Sequence, residues 1–221
     1  MRAGEVSEVS QDYLKAIWSA REWGGDPMTA TELAQRFGTT KANVTEVLKR
    51  LDDLGLVNRV PYRPPELTAA GEEIAVAMVR RHRLIETFLV ESLGYSWDEV
   101  HDEAEALEHA ASDLLIDRID AFLGHPTADP HGDPIPGSDG AVASHDSSLL
   151  LAEAVPGSYE VLRVSDADPE VLATLAEARV RPGSTVVVRR AAAGGTVEIA
   201  VIGAAGTSVI DAAAASAVYL A

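Results

Sequence analysis

The chain has 221 residues, 47% hydrophobic and 24% charged, and no cysteine, which excludes disulfides, thiolate metal sites and cysteine nucleophiles. No apolar run approaches the roughly 20 residues of a membrane helix, and the opening MRAGEVSEVSQDY lacks the apolar core of a signal peptide, so a cytoplasmic protein with no membrane partner is expected. The net charge of −17 argues against a general nucleic-acid binder, but residues 1–65 hold nine Lys/Arg and nine Asp/Glu, so all the excess acid lies beyond them.

Val9, Tyr13, Leu14, Ile17 and Trp18 recur at helical spacing and predict a helix over 7–23, with Ser10 as its candidate N-cap. Thr29 with Glu32 three residues on is a capping-box pattern, and Gly38 closes the short helix that follows. A second helix runs from Ala42 to Leu54 on the stripe Val44, Val47, Leu48, Leu51 and Leu54, closed by Gly55. Two short helices around a tight turn make a helix-turn-helix. Its outer face offers Thr39, Thr40, Lys41, Asn43, Glu46, Lys49 and Arg50. Asn suits an adenine edge, Glu the cytosine amino group, and Lys or Arg a phosphate or guanine. Extended segments Leu56–Val60 and Glu66–Thr68 flank the basic connection Pro61-Tyr62-Arg63-Pro64-Pro65, the pattern of a winged-helix hairpin, which adds Arg59 and Arg63 as DNA contacts. Residues 1–70 are therefore expected to bind double-stranded DNA. An ordinary helical hairpin with solvated lysines is the plainer alternative.

Thr68 can cap a long helix from Ala69 to Leu93. Gly94-Tyr95-Ser96 breaks it, and a further helix, capped by Ser96, covers about Trp97–Phe122, with a short helix or turn around 112–123. Residues 71–124 read as a helical domain. The proline- and glycine-rich stretch 125–148 reads as a linker, part of it ordered against a neighbour. In residues 149–221, β-rich runs at Gly157–Val164, Ser184–Arg190, Val197–Ile202 and Val218–Leu220, with one helical segment at Asp168–Ala178, fit a small, partly open β-barrel. The expected fold class is mainly α with a β-rich C-terminal domain.

The helices carry the chemistry. In HDEAEALEH, residues 101–109, about 100° per residue puts His101, Glu105, Glu108 and His109 on one face. Such groups one turn apart repel or compete for protons unless a cation sits among them. Oxygen with some nitrogen and no sulfur suits Mn²⁺ or Fe²⁺, whereas the bland reading is a solvated acidic face. Asp12, beside the apolar stripe of the first helix, can point inward and complete a set with Glu105, Glu108 and His109. His82 and Glu86, spaced i, i+4, suit two ligands on one helix face or a plain surface pair, and His101 is their natural third partner. A di-iron carboxylate enzyme needs two Glu-x-x-His motifs. The residues three before His82, His101 and His109 are Val79, Asp98 and Ala106, so neither an enzyme nor an organic substrate is expected.

In the order helix-turn-helix, wing, MVRRHRLIETFL, VHDEAEALEH and HGDPIPG, the chain resembles the diphtheria-toxin-repressor family of metal-dependent regulators, and most of all its actinobacterial manganese transport regulators, over nearly all 221 residues. The resemblance implies a winged-helix DNA-binding domain, a helical metal-binding and dimerisation domain, and a C-terminal SH3-like domain. It implies a primary metal site on Asp12, Glu105, Glu108 and His109. It implies an ancillary site on His82, Glu86 and His101, completed by an acid of the SH3-like domain: Asp168, with Asp166 and Glu170 as alternatives. Iron-responsive members place a Met and a Cys where this chain has Asp12 and Glu105, so losing both sulfurs moves the preference toward Mn²⁺, with Fe²⁺ and other divalent transition metals behind it. Short manganese regulators carry a Glu where this chain has Lys15, which puts a binuclear primary site bridged through that position in doubt. The resemblance thus implies a manganese-dependent repressor that binds operator DNA as a homodimer, with an iron-dependent regulator of the same family as the alternative. Leu84, Phe88, Leu89, Trp97, Leu107 and Leu114 are the expected dimer surface, unless they serve the chain's own core.

Overall fold

The structure is a computed structural model that describes residues 6–22, 25–60, 63–97, 99–143, 148–191 and 195–221. Predicted features at other positions, among them the wing tip at Pro61 and Tyr62, lie outside the described residues. Among the described residues, no helix is long and apolar enough to cross a membrane. The chain divides into two compact units, residues 1–81 with 136–141, and residues 82–135 with 142–221.

The first unit opens with α1 (Glu8–Glu22). Ser7, rather than Ser10, stands at its start: the Ser10 N–H reaches the Ser7 carbonyl at 2.8 Å, so Ser10 lies buried inside the first turn. Helix α2 (Ala30–Arg36) carries the predicted capping box. The Thr29 hydroxyl accepts from the Glu32 N–H at 3.3 Å, and Glu32 Oε2 accepts from the Thr29 N–H at 2.6 Å. That backbone hydrogen bond holds the Glu32 carboxyl below its usual range. Helix α3 (Lys41–Asp53) begins at Thr40, whose hydroxyl accepts from the Asn43 N–H at 3.2 Å. Leu14, Ile17, Leu33, Val44, Leu48, Leu51, Ile74 and Met78 form one core, and the rings of Tyr13 and Phe37 stack at 4.4 Å. The wing is the antiparallel pair β1 (Val57–Asn58) and β2 (Glu66–Leu67), with Val57 opposite Leu67. Helix α4 (Ala69–Phe88) then starts hard against β1. A Cβ on Gly71 would fall 2.0 Å from the Leu56 carbonyl oxygen, so only glycine permits this approach.

The second unit takes up α4 from His82, and a π turn over Leu89–Leu93 ends at Gly94, whose φ is +76°. The stretch 97–122 holds two helices, α5 (Val100–Glu108) and α6 (Asp113–Phe122), the second where a short helix or turn is expected around 112–123. The physical reason is a second start signal: the Ser112 hydroxyl accepts from the Leu115 N–H at 3.2 Å and caps a new helix. Leu84, Leu89, Val100, Ala104, Ile116, Ile119 and Ile135 form the core here. The predicted dimer stripe is therefore divided. Leu84, Leu89 and Trp97 are buried within the chain and Phe88 is half-buried, whereas Leu107 and Leu114 are exposed, together with Leu115 and Phe122 of α6.

Part of the stretch expected to be a linker, residues 129–136, is a packed loop. Asp129 Oδ1 accepts from the N–H groups of His131 at 2.8 Å and Asp133 at 2.9 Å. The Arg83 guanidinium donates to the Pro134 carbonyl at 2.7 Å, and Ile135 is buried. Gly132 has a φ of +86°, and a Cβ there would meet the Leu162 carbonyl oxygen at 2.2 Å.

Beyond it, β3 (Leu149–Leu150), β4 (Gly157–Val164), β5 (Thr185–Ala191), β6 (Val197–Val201), β7 (Ser208–Ile210) and β8 (Val218–Leu220) form one antiparallel sheet in the order β3-β8-β4-β5-β6-β7. Register shifts between Val161 and Arg163 in β4, and between Val188 and Arg190 in β5, bend it into an SH3-like fold. Helices α7 (Pro169–Glu177) and α8 (Ala212–Ser216) close it, and Leu151, Val161, Leu172, Leu175, Val186, Val197, Ile199, Val218 and Leu220 fill its core beside Trp97. The fold class is mainly α with a C-terminal β domain, as the residue pattern predicts. Strand β7 and helix α8, at three and five residues, are too short to leave a periodic signal.

Candidate metal centre

Helix α4 sets His82 and Glu86 one turn apart, and α5 presents His101 toward them. His82 Nε2 lies 2.9 Å from Glu86 Oε1 and 3.1 Å from His101 Nδ1, and His101 Nδ1 lies 3.2 Å from the same Glu86 oxygen. The fourth donor is Asp166, in the turn between β4 and α7, with Oδ2 3.3 Å from His101 Nδ1. Asp168 does not serve: its carboxylate caps α7 by accepting from the Glu170 N–H at 2.9 Å and the Val171 N–H at 3.5 Å. Pro169 has no N–H to satisfy, but the next two positions of the helix do, and their need for this acceptor binds Asp168 to local structure. Glu170 is exposed on that helix.

The donors fit a divalent cation. His82 Nδ1 lies 2.6 Å from the buried Glu108 carboxylate, an acceptor that orients the ring with Nε2 facing the other donors. Two imidazole nitrogens and two carboxylate oxygens, within 4.8 Å of one another and without sulfur, are a set for a hard or borderline ion. The electrostatics agree. Burial pushes Glu86 up, but the His82 charge and the imidazoles of His101 and His131 outweigh it and hold the carboxyl well below its ordinary value. Burial would lower His101, yet Asp166 and Glu86 raise it to about 10. Burial would raise Asp166, yet His101 holds it down to about 2.

The second expected ligand set is spread over two units. Asp12 is half-buried on α1 in the first; exposed Glu105, buried Glu108 and half-buried His109 lie at the end of α5 in the second. Within the second unit, Glu108 Oε1 is 3.8 Å from His109 Nε2, and Glu105 Oε1 is 3.7 Å from His101 Nε2.

Two residues that the sequence reading left without a role border the same centre. His131 Nε2 lies 2.7 Å from the Trp97 carbonyl, while its Nδ1 faces Glu86 Oε2 at 3.8 Å. Asp129 Oδ2 lies 3.4 Å from Arg83 Nε. Burial lowers His131, but Glu86 and Asp129 bring it up to about 10; burial and the Glu86 charge lift Asp129 to about 6 against the pull of Arg83. The alternation Asp129-x-His131-x-Asp133 in a chain segment with no apolar periodicity was the one available signal for them.

In the first unit the DNA candidates Thr40, Lys41, Asn43, Glu46, Lys49, Arg50, Arg59 and Arg63 are exposed and Thr39 is half-buried. Asn43 Nδ2 donates to the Thr39 hydroxyl at 3.0 Å, so those two side chains are held as a pair at the start of α3.

Comparison with known proteins follows the same divisions. Residues 5–64 match the family described as iron dependent repressor, N-terminal DNA binding domain, residues 68–137 match its metal binding and dimerisation domain, and residues 149–221 match the FeoA domain. The iron-dependent repressor IdeR of Mycobacterium tuberculosis is 31% identical over 203 residues, 86% of this chain and 88% of its own. The chain belongs to the diphtheria-toxin-repressor family. Members of this family are metal-dependent transcriptional repressors, and the diphtheria toxin repressor of Corynebacterium diphtheriae itself is 28% identical over 192 residues, 82% of this chain and 84% of that one. A solved structure described as a manganese-dependent transcriptional repressor complex with manganese superposes with a TM-score of 0.87 at 46% identity, covering 96% of this family member and 99% of that chain. The manganese regulator SloR superposes at 0.80 with 30% identity, over 96% and 97%.

Proposed function

We propose that this chain is a manganese-responsive repressor that binds double-stranded operator DNA as a homodimer when metal-loaded and controls genes of metal uptake or homeostasis. The observation that carries the reading is the sulfur-free donor set of His82, Glu86, His101 and Asp166, with His82 oriented by Glu108. The 46% identity to a repressor described in complex with manganese supports Mn²⁺, whereas relatives named iron-dependent support Fe²⁺.

A bound divalent ion supplies positive charge among carboxylates. His82, Glu86 and His101 tie α4 to α5, and Asp166 ties both to the SH3-like domain. In the second ligand set, Asp12, Glu105 and Glu108 repel one another while no cation is among them. Asp12 stands on α1 of the DNA-binding domain, so drawing it to Glu105, Glu108 and His109 holds that domain. In a dimer this sets the separation of the two α3 helices, which must match half-sites about 34 Å, one helical turn, apart. Moving such an equilibrium from 1:99 to 99:1 takes about 5.5 kcal/mol of differential binding, within the reach of several charged ligands. The exposed Leu107, Leu114, Leu115 and Phe122 offer the apolar surface for the partner copy.

The test is anisotropy of a DNA duplex selected from a random library by the Mn²⁺-loaded chain, titrated at buffered free Mn²⁺, Fe²⁺ and Zn²⁺, with wild type and Asp12→Ala. Wild type is expected to bind only with metal and at lower free Mn²⁺ than Fe²⁺, and Asp12→Ala to need at least about tenfold more Mn²⁺. Metal-independent binding by wild type ends the proposal. Activation by Fe²⁺ at the lower concentration hands the chain to the iron-dependent reading.

A further inference from the structure

Asn43 is tied to the turn before α3 at two points. Its backbone N–H donates to the Thr40 hydroxyl at 3.2 Å, and its side-chain Nδ2 donates to the Thr39 hydroxyl at 3.0 Å. Thr39 is itself fixed to α2. Its N–H donates to the Ala34 carbonyl at 2.9 Å, directly after Gly38 turns the chain with a φ of +56°. A β-branched side chain is stiff at its first torsion, so the half-buried Thr39 offers its hydroxyl from a settled position. Asn43 is exposed on the first turn of α3, and with Thr39 and Glu46 it lines a groove of about 690 Å³ beside α1.

The second helix of a helix-turn-helix lies in the major groove with its N-terminal residues at the base edges. The Thr39 contact decides what Asn43 can offer there. A free asparagine amide carries two donor hydrogens and one acceptor oxygen, and a half-turn about its last torsion exchanges the two ends. With Nδ2 on the Thr39 hydroxyl, one hydrogen is used, and one donor beside one acceptor is left. That pair complements adenine, which shows N7 as an acceptor and N6 as a donor. Guanine shows two acceptors, N7 and O6, and would set one of them against Asn43 Oδ1. An amide already held on the protein also loses less rotamer freedom when it meets the base.

We infer that Thr39 is a positioning residue for base readout: by holding the Asn43 amide, it sets α3 to read adenine at one position of each operator half-site. This rests on the proposed binding of operator DNA.

The test repeats the selection from a random duplex library with the full Mn²⁺-loaded chain, for wild type, Asn43→Ala, Thr39→Val and Thr39→Ser, and reads base preference position by position. The position whose preference disappears in Asn43→Ala is the one that Asn43 reads. In wild type it is expected to hold adenine over guanine by at least about tenfold. Thr39→Val keeps the branched shape without the hydroxyl. It is expected to reduce that preference by about fivefold, the worth of one neutral hydrogen bond, with the preferences at other positions as in wild type. Thr39→Ser restores the acceptor and is expected to restore the preference; Thr39→Ala replaces Thr39→Val if the latter does not fold. A hydroxyl-free variant that binds every duplex more weakly by the same factor overturns the inference and leaves Thr39 a phosphate contact or a structural residue. Guanine at that position in wild type also overturns it, since the amide would then face the other way. Selection by wild type with no position sensitive to Asn43→Ala overturns this inference alone. Failure of wild type to select any duplex with Mn²⁺ removes the proposed function, and this inference with it.

Discussion

The two sides of the Glu86 carboxylate are built differently. Toward Oε1 the donors ride on helices, and they lie 2.9 to 3.2 Å from one another, close enough to share protons as hydrogen bonds. Toward Oε2 the donors sit on a loop that is itself pinned by Asp129 and Gly132, and the gap to His131 stays at 3.8 Å. The helix-borne side chains can satisfy one another in the absence of an ion. The loop-borne ones are held by backbone bonds at a longer distance, where a charged His131 still pairs with Glu86. Preorganisation therefore comes from opposite sources: flexible rotamers on a rigid i, i+4 frame in one case, and a rigid backbone with few free torsions in the other.

The change that breaks both sides at once is Glu86→Gln, which keeps the shape and removes the shared charge. Taking one partner from a buried charged cluster costs about 3 kcal/mol, read by urea unfolding of the metal-free protein, and Mn²⁺ binding should fall. A cost below about 1 kcal/mol would show that the three imidazoles are neutral there. The pH profile sharpens the point. His101 and His131 are both raised from 6.5 to about 10, by Asp166 with Glu86 and by Glu86 with Asp129, against the effect of burial. A group whose folded value is raised gives stability that is complete below its unfolded value and is lost as pH climbs through the folded one. The metal-free chain should accordingly lose stability between about pH 6.5 and 10, and Glu86→Gln should flatten that slope. An unchanged slope in Glu86→Gln would mean that the carboxylate does not set these protonations.

Gly132→Ala attacks the loop side alone. The residue sits at φ +86° with a carbonyl 2.2 Å from the place of a Cβ, so the loop must shift. A strained position of this kind costs about 2 kcal/mol, measurable by thermal unfolding. Mn²⁺ held by His82, His101 and Asp166 should survive. Loss of that ion would show that the loop and the helices form one rigid frame.

The same contrast explains what could be read from residues alone. Helices α1 to α4 announce themselves through apolar spacing, the Thr29–Glu32 box and the glycines at 38 and 55, because local bonds decide them. His82, Glu86 and His101 were legible for the same reason: periodicity places them on known faces. Asp129 and His131 were not, because the loop is fixed by side-chain-to-backbone bonds and by a close approach to Leu162 that no period encodes. The division of 97–122 into α5 and α6 turned on one cap, Ser112, inside a continuous apolar pattern. Likewise, Asp166 and Asp168 are two residues apart, and only the position of the α7 start separates a ligand from a cap.

That last pair gives the smallest expected effect and the cleanest exchange of roles. Asp168→Ala removes the acceptor for the Glu170 and Val171 N–H groups, at a cost of about 1 kcal/mol of stability, and should leave Mn²⁺ affinity as in wild type. Asp166→Ala should instead act on the metal, with Mn²⁺ affinity lower by at least about tenfold in calorimetry. If Asp168→Ala is the variant that releases metal, then α7 unwinds on loading and its cap becomes the ligand, and the helix side of Glu86 borrows from a mobile element just as the loop side is denied one.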